Sequence, residues 1–131
     1  MAVADQGQVQ IVAIVDDDPS VRGALLGLMK AVEIPAQAFA STEDFLSSGL
    51  RRQTACLVAD IRMPGMSGLE LQAWLNANQF CIPIVFITAH GDDATRAQAL
   101  SAGAVRFLEK PFDDEELLRV VRRLMLINQG G

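Results

Sequence analysis

The run Ala55-Cys56-Leu57-Val58-Ala59 leads straight into a carboxylate, Asp60. Met63-Pro64-Gly65 follows, and Ser67 with Glu70 three residues on has the spacing of a capping box that opens a helix. A short unbroken apolar run closed by turn residues reads as a strand buried on both faces. Such a strand needs a layer on each side, so this stretch confines the chain to a parallel sheet covered by helices. It also puts Asp60 at the carboxyl end of a central strand, the edge where open α/β sheets bind ligands. A charge there needs a partner or a task, unless it is simply a solvated loop or capping residue.

The rest of the chain repeats the pattern. Residues 9–15 form an apolar run that ends in Asp16-Asp17-Asp18. Asp18 suits a helix N-cap and Pro19 the first helical position. Val21, Leu25, Leu28, Met29 and Val32 then recur at helical spacing until Pro35. Residues 36–40 read as a weak strand carried by Phe39. Ser41 caps a short helix with Phe45, Leu46 and Leu50, and residues 51–54 read as a polar loop. After Asp60 a helix presents Leu71, Trp74 and Leu75, with Trp74 read as packing. The β-branched run 82–87 ends in Thr88-Ala89-His90-Gly91. A small-residue helix at 92–102 follows, then a strand at 104–108 ending in Glu109-Lys110-Pro111-Phe112. The last helix sets Leu117, Val120, Val121 and Leu124 on its buried side and leaves Leu118, Met125 and Leu126 on its flanks. Five strands alternating with five helices through short links predict an α/β domain with a doubly wound parallel sheet. One domain is expected over 9–127, after a disordered lead at 1–8 without a signal-peptide pattern. Residues 128–131 read as a tail or the start of a linker.

Composition narrows the function. The net charge is −5 and no cluster of Lys or Arg marks a nucleic-acid face. Arg119, Arg122 and Arg123 read as charges that complement a helix C-terminus. The domain is therefore expected to make no direct nucleic-acid contact; a DNA-binding output domain would lie outside this sequence. Cys56 and Cys81 both fall in apolar runs and read as small buried hydrophobes of a reducing, cytoplasmic compartment. No run is long enough to span a membrane.

The strand ends carry the chemistry. The first delivers Asp16 and Asp17, the third Asp60, the fourth Thr88 and the fifth Lys110. A doubly wound sheet brings all these ends to one edge. Three crowded carboxylates repel one another unless they share a hard cation, and oxygen ligands suit Mg²⁺. Lys110 and the Thr88 hydroxyl suit phosphoryl oxygens, and a carboxylate can itself accept a phosphoryl group. Asp18 reads mainly as the helix cap.

With Asp16-Asp17, Asp60, Met63-Pro64-Gly65-Met66-Ser67-Gly68, Thr88-Ala89 and Lys110-Pro111-Phe112 in place, the chain resembles a response regulator receiver domain of two-component systems. The Thr-Ala-His-Gly and Glu-Lys-Pro-Phe stretches are similar to those of nitrogen-fixation regulators. The resemblance implies a flavodoxin-like strand order, 2-1-3-4-5. It implies that Asp60 takes a phosphoryl group from a sensor histidine kinase. Mg²⁺ would be held by Asp17, Asp60 and the backbone carbonyl of Arg62, with Asp16 acting through water. Thr88 and Lys110 would contact the phosphoryl oxygens, Phe107 would be the switch aromatic, and the Lys110–Pro111 bond would be cis. Phe107 stands where the family often has Tyr and lacks its hydroxyl. His90, two residues past Thr88, is either a modulator of phosphate hydrolysis or a solvated loop residue. A phosphorylation-dependent homodimer is expected on the last two helices and the strand between them. The competing reading is a haloacid-dehalogenase-type phosphohydrolase with Asp16 as nucleophile in Asp16-Asp17-Asp18. That reading leaves Asp60 unexplained and lacks a cap to enclose a substrate.

Overall fold

The computed structural model describes residues 9–89 and 91–130. The elements are β1 (Ile11–Val15), α1 (Pro19–Ala31), β2 (Ala36–Phe39), α2 (Thr42–Ser47), β3 (Thr54–Ala59), α3 (Gly68–Ala77), β4 (Ile84–Thr88), α4 (Asp93–Ser101), β5 (Arg106–Glu109) and α5 (Asp114–Gly130). A single 3-10 turn, Arg51–Gln53, leads into β3. The strands form one parallel sheet in the order β2-β1-β3-β4-β5. This is the doubly wound, flavodoxin-like arrangement expected.

Strand periodicity splits the core in two. Successive residues of a strand face opposite sides, so Val12, Ile14, Val58 and Ile87 pack with Leu25, Met29, Leu117 and Val121 under α1 and α5. Ala13, Val15, Leu57 and Phe86 pack on the other face with Phe45, Leu71, Leu75 and Ala99. Truncating a fully buried residue such as Leu71 to Ala would cost about 2–5 kcal/mol.

The helix starts are written locally. Asp18 accepts from the Ser20 N–H at 2.9 Å, and Ser41 from the Asp44 N–H at 3.0 Å. Both halves of the Ser67–Glu70 box form, at 2.8 and 3.1 Å. Asp92 caps α4 through the Thr95 N–H at 2.7 Å. Such caps contribute about 1 kcal/mol each when their loss is measured.

Four expectations are corrected. Leu118 and Met125 are buried, at 5% and 7% exposure. The apolar stripe of α5 is wider than one row because the helix packs on the sheet and also shares a core cluster with Leu25 and Met29 of its neighbour α1, and of the three flanking residues Leu126 stays exposed. Arg119, Arg122 and Arg123 lie in the middle of α5, which continues to Gly130 without a basic residue in its last turn. Cys81 is exposed, while Cys56 is buried in β3, where burial pushes its thiol up to about 12. Cys81 falls outside β4 because Pro83 has no N–H to give the ladder; its carbonyl instead accepts from Leu57 at 2.9 Å, and the strand begins at Ile84. Leu50 lies beyond α2 and opens the 3-10 turn. Trp74 is packing, as expected: it stacks on Phe80 at 6.1 Å beneath the Arg51 guanidinium. Among the described residues no helix is long and apolar enough to cross a membrane.

Candidate functional site

The site is built at the carboxyl edge by strand ends locked in register. The Asp60 N–H donates to Val15 O at 3.0 Å, and the Asp16 N–H to Phe39 O at 3.1 Å, so Asp16 and Asp60 leave adjacent strands side by side. On the other flank the Lys110 N–H donates to Thr88 O at 2.8 Å, and the Lys110–Pro111 bond is cis. Thr88 is buried at the end of β4.

The side chains then converge. Lys110 Nζ lies 3.2 Å from Asp16 Oδ2 and 3.1 Å from Asp60 Oδ2. Carboxylate oxygens of Asp16, Asp17 and Asp60 all lie within 4.8 Å of one another. Asp16 is 1% exposed and Asp60 8%, whereas Asp17 is exposed at the rim. Asp16 Oδ1 accepts from the Asp18 N–H at 2.9 Å, and Arg22 Nη1 donates to Asp16 O at 2.7 Å. Asp60 Oδ1 accepts from the Arg62 N–H at 3.3 Å. Burial raises the Asp16 carboxyl above its ordinary value despite the hydrogen bond from Asp18 and the charge of Lys110. Burial lowers Lys110, but the hydrogen bond to Asp60 and the charge of Asp16 outweigh it and hold the amine above its ordinary value. One ammonium facing three carboxylates leaves negative charge uncompensated. Three hard oxygen donors at this spacing are the donor set of a divalent cation such as Mg²⁺.

Phe107 is buried under α4, and His90 lies outside the described residues. Asp18 caps α1, as expected.

Other contributors were not legible in the sequence. Gly68 lets α3 start directly against the end of β3: a Cβ there would run into the backbone carbonyl of Asp60. Gly65 has φ +76°, and Glu43 of α2 reaches across to accept from the Met66 N–H at 3.0 Å, tying down the loop after Asp60. Turn chemistry flagged Gly65 and the family stretch included Gly68, but neither showed the close approach to the Asp60 carbonyl or the reach of Glu43 across 23 residues. Arg22, which donates to the Asp16 carbonyl, carried no signal at all.

Comparisons agree with this geometry. The family model for the response regulator receiver domain matches residues 12–122. Nodulation protein W of Bradyrhizobium diazoefficiens is 46% identical over 111 residues, which are 85% of this chain and 49% of that protein. Transcriptional regulatory protein TdiR of Thauera aromatica is 36% identical over 129 residues, 98% of this chain and 57% of that protein. The chain thus spans about half the length of these curated relatives. Among solved structures, response regulator StyR superposes with a TM-score of 0.84 at 43% identity, over 93% of this chain and 62% of that one. FixJ-N superposes with a TM-score of 0.80 at 38% identity, covering 90% of this chain and 94% of that one. The haloacid-dehalogenase reading finds no support: Asp60, which it leaves idle, sits within the acidic cluster, and the matching family is another one. A five-stranded parallel fold with this acidic edge, over essentially the whole length matched, places the chain in the response regulator receiver domain family, the phosphorylation-dependent signalling switches of two-component systems.

Proposed function

We propose that Asp60 is the phosphoacceptor and that a sensor histidine kinase is the donor. The observation that carries this is the Lys110 ammonium bridging Asp16 and Asp60 at 3.2 and 3.1 Å, beside Asp17. An Asp60 oxygen attacks the phosphorus of the kinase's phosphohistidine. The P–N bond breaks, its electron pair stays on the imidazole nitrogen, and an acyl phosphate remains on Asp60. Asp17, Asp60 and the Arg62 carbonyl would hold Mg²⁺, with Asp16 acting through water, and the ion would supply positive charge to offset the negative charge of the transferring group. The Lys110 ammonium, already poised over Asp60, follows the new phosphoryl oxygens, and the Thr88 hydroxyl takes another. Phe107 moves into the space that Thr88 vacates. The chain catalyses its own phosphorylation and dephosphorylation and no other turnover, with His90 a candidate modulator of the hydrolysis.

The change is passed to an output domain or to a partner protein. TdiR is named a transcriptional regulatory protein, so transcription control in the cytoplasm is the proposed output, with no nucleic-acid or membrane contact by this domain. Self-association on the α4–β5–α5 side is the proposed intermediate step. With Leu118 and Met125 buried, its apolar contacts fall to the exposed Leu100 and Val105. The test is incubation with a small acyl phosphate and Mg²⁺ followed by intact-mass spectrometry. One phosphoryl group per wild-type chain and none on Asp60→Asn is expected; full incorporation by that variant overturns the assignment.

A further inference from the structure

The loop that joins Asp60 to α3 is fixed at both ends and held from outside at one point between them. At its start the Arg62 N–H donates to Asp60 Oδ1 at 3.3 Å, and the side chains of Ile61 and Met63 are buried. At its end the Gly68 N–H donates to Ile61 O at 2.9 Å, and the Ser67–Glu70 box begins the helix. Between these ends Pro64 and Gly65 are exposed, and Gly65 turns the chain at φ +76°. Here Glu43 of α2 arrives, and its Oε2 accepts from the Met66 N–H at 3.0 Å. Among the described residues this is the one side-chain hydrogen bond that reaches residues 61–66 from outside the β3–α3 segment.

The carboxylate has a fitted seat. A Cβ on Gly65 would stand 2.7 Å from Glu43 Oε2, so the acid fills space that only a glycine leaves open. Glu43 is exposed, but its helix is firmly based. Thr42 and Phe45 beside it are fully buried, and Ser41 caps the helix through the Asp44 N–H at 3.0 Å. Ser47 Oγ donates to the Glu43 carbonyl at 2.7 Å. A flexible acid on a fixed base thus clasps the loop that carries Arg62.

We propose that Glu43 is a positioning residue for the metal site: by holding the Met66 N–H it keeps the 61–66 loop closed, and so sets how tightly the acidic edge takes a divalent cation. The proposal rests on the reading of the Arg62 carbonyl as a metal ligand. Glu43 stands outside the donor set, whose carboxylates, within 4.8 Å of one another, come from Asp16, Asp17 and Asp60. It acts through the backbone. A loop carbonyl can serve as a ligand only in the closed loop, and the apparent dissociation constant rises as the closed fraction falls. One hydrogen bond shifts such an equilibrium by about twofold to tenfold.

Two measurements on the full chain test this: hydrogen exchange of the Met66 amide in chelator, read by NMR, and calorimetric titration with Mg²⁺ alone. Glu43→Asp keeps the charge but is one carbon too short to reach. Glu43→Gln keeps the reach and an acceptor oxygen but loses the charge. Glu43→Ala loses both. Glu43→Ala and Glu43→Asp are expected to exchange the Met66 amide about twofold to tenfold faster than wild type and to bind Mg²⁺ about twofold to tenfold more weakly. Glu43→Gln is expected to stay near wild type in both. Thermal unfolding in chelator should change little, because the acid is exposed; should Glu43→Ala fail to fold, the Asp and Gln variants carry the comparison. Equal Mg²⁺ affinity in wild type and Glu43→Asp overturns the proposal. So does weakened binding in Glu43→Gln beside wild-type binding in Glu43→Asp, which would make the charge and not the clasp the cause. A wild type that takes up no Mg²⁺ overturns the metal reading itself, a result distinct from Mg²⁺ bound equally by all four proteins, which overturns the role of Glu43 alone.

Discussion

Lys110 Nζ and Asp60 Oδ2 stand 3.1 Å apart at the ends of two strands, fifty residues apart in sequence, and the same ammonium also meets Asp16 at 3.2 Å. It is a cation shared between a proposed phosphoacceptor and a proposed metal-site acid. Lys110→Met keeps the stem and removes the charge. Asp60 labelling by a small acyl phosphate is expected to slow by about a hundredfold, the usual cost of one lost transition-state donor. Mg²⁺ should bind more tightly, because a competing cation is gone. Calorimetric titration showing weaker Mg²⁺ binding would overturn this account of Lys110.

Mg²⁺ should stabilise the fold, because the three carboxylates meet only in the folded chain. At ten times its dissociation constant the gain is about 1.4 kcal/mol by mass action. Asp17 is exposed, so Asp17→Ala should unfold near the wild-type temperature in chelator and lose the Mg²⁺ gain. Equal Mg²⁺-induced shifts in both proteins would count against Asp17 as a ligand.

In chelator, the raised Asp16 carboxyl sets a pH dependence. The folded state holds that proton more tightly than the unfolded chain. Its contribution is therefore fully present below the unfolded value of 3.8 and is lost as pH rises through the higher folded value. Asp16→Asn lacks this loss, so its stability relative to wild type should improve between pH 4 and neutrality. Urea unfolding at the two ends of that range measures the change. A relative stability that falls with rising pH would mean the carboxyl is not raised.

Sedimentation velocity with a beryllofluoride phosphoryl mimic and Mg²⁺ should show a dimer at tens of micromolar, and a monomer without them. Leu100→Glu with Val105→Glu should abolish the dimer while leaving the fold intact, since both side chains are already exposed, at 39% and 40%. A dimer that persists in the double variant would place the interface elsewhere.

What the sequence by itself determined is whatever a few neighbouring residues can specify. The unbroken run into Asp60, the Ser67–Glu70 box, the Asp18 cap and the five strand-end residues were all legible, because burial period, capping and turn chemistry act within one turn of helix or one strand. Those ends share one edge in any doubly wound sheet, so Asp16, Asp17, Asp60, Thr88 and Lys110 could be grouped without coordinates. Only the tertiary structure decided the rest. Leu118 and Met125 are buried because α5 meets both the sheet and α1, which periodicity along one helix cannot reveal. Cys81 is exposed because Pro83 delays β4. Glu43 reaches the Met66 N–H across 23 residues, and Arg96 finds the Phe107 ring on the next strand. No local pattern encodes either pairing, because each depends on where packing sets two elements against one another.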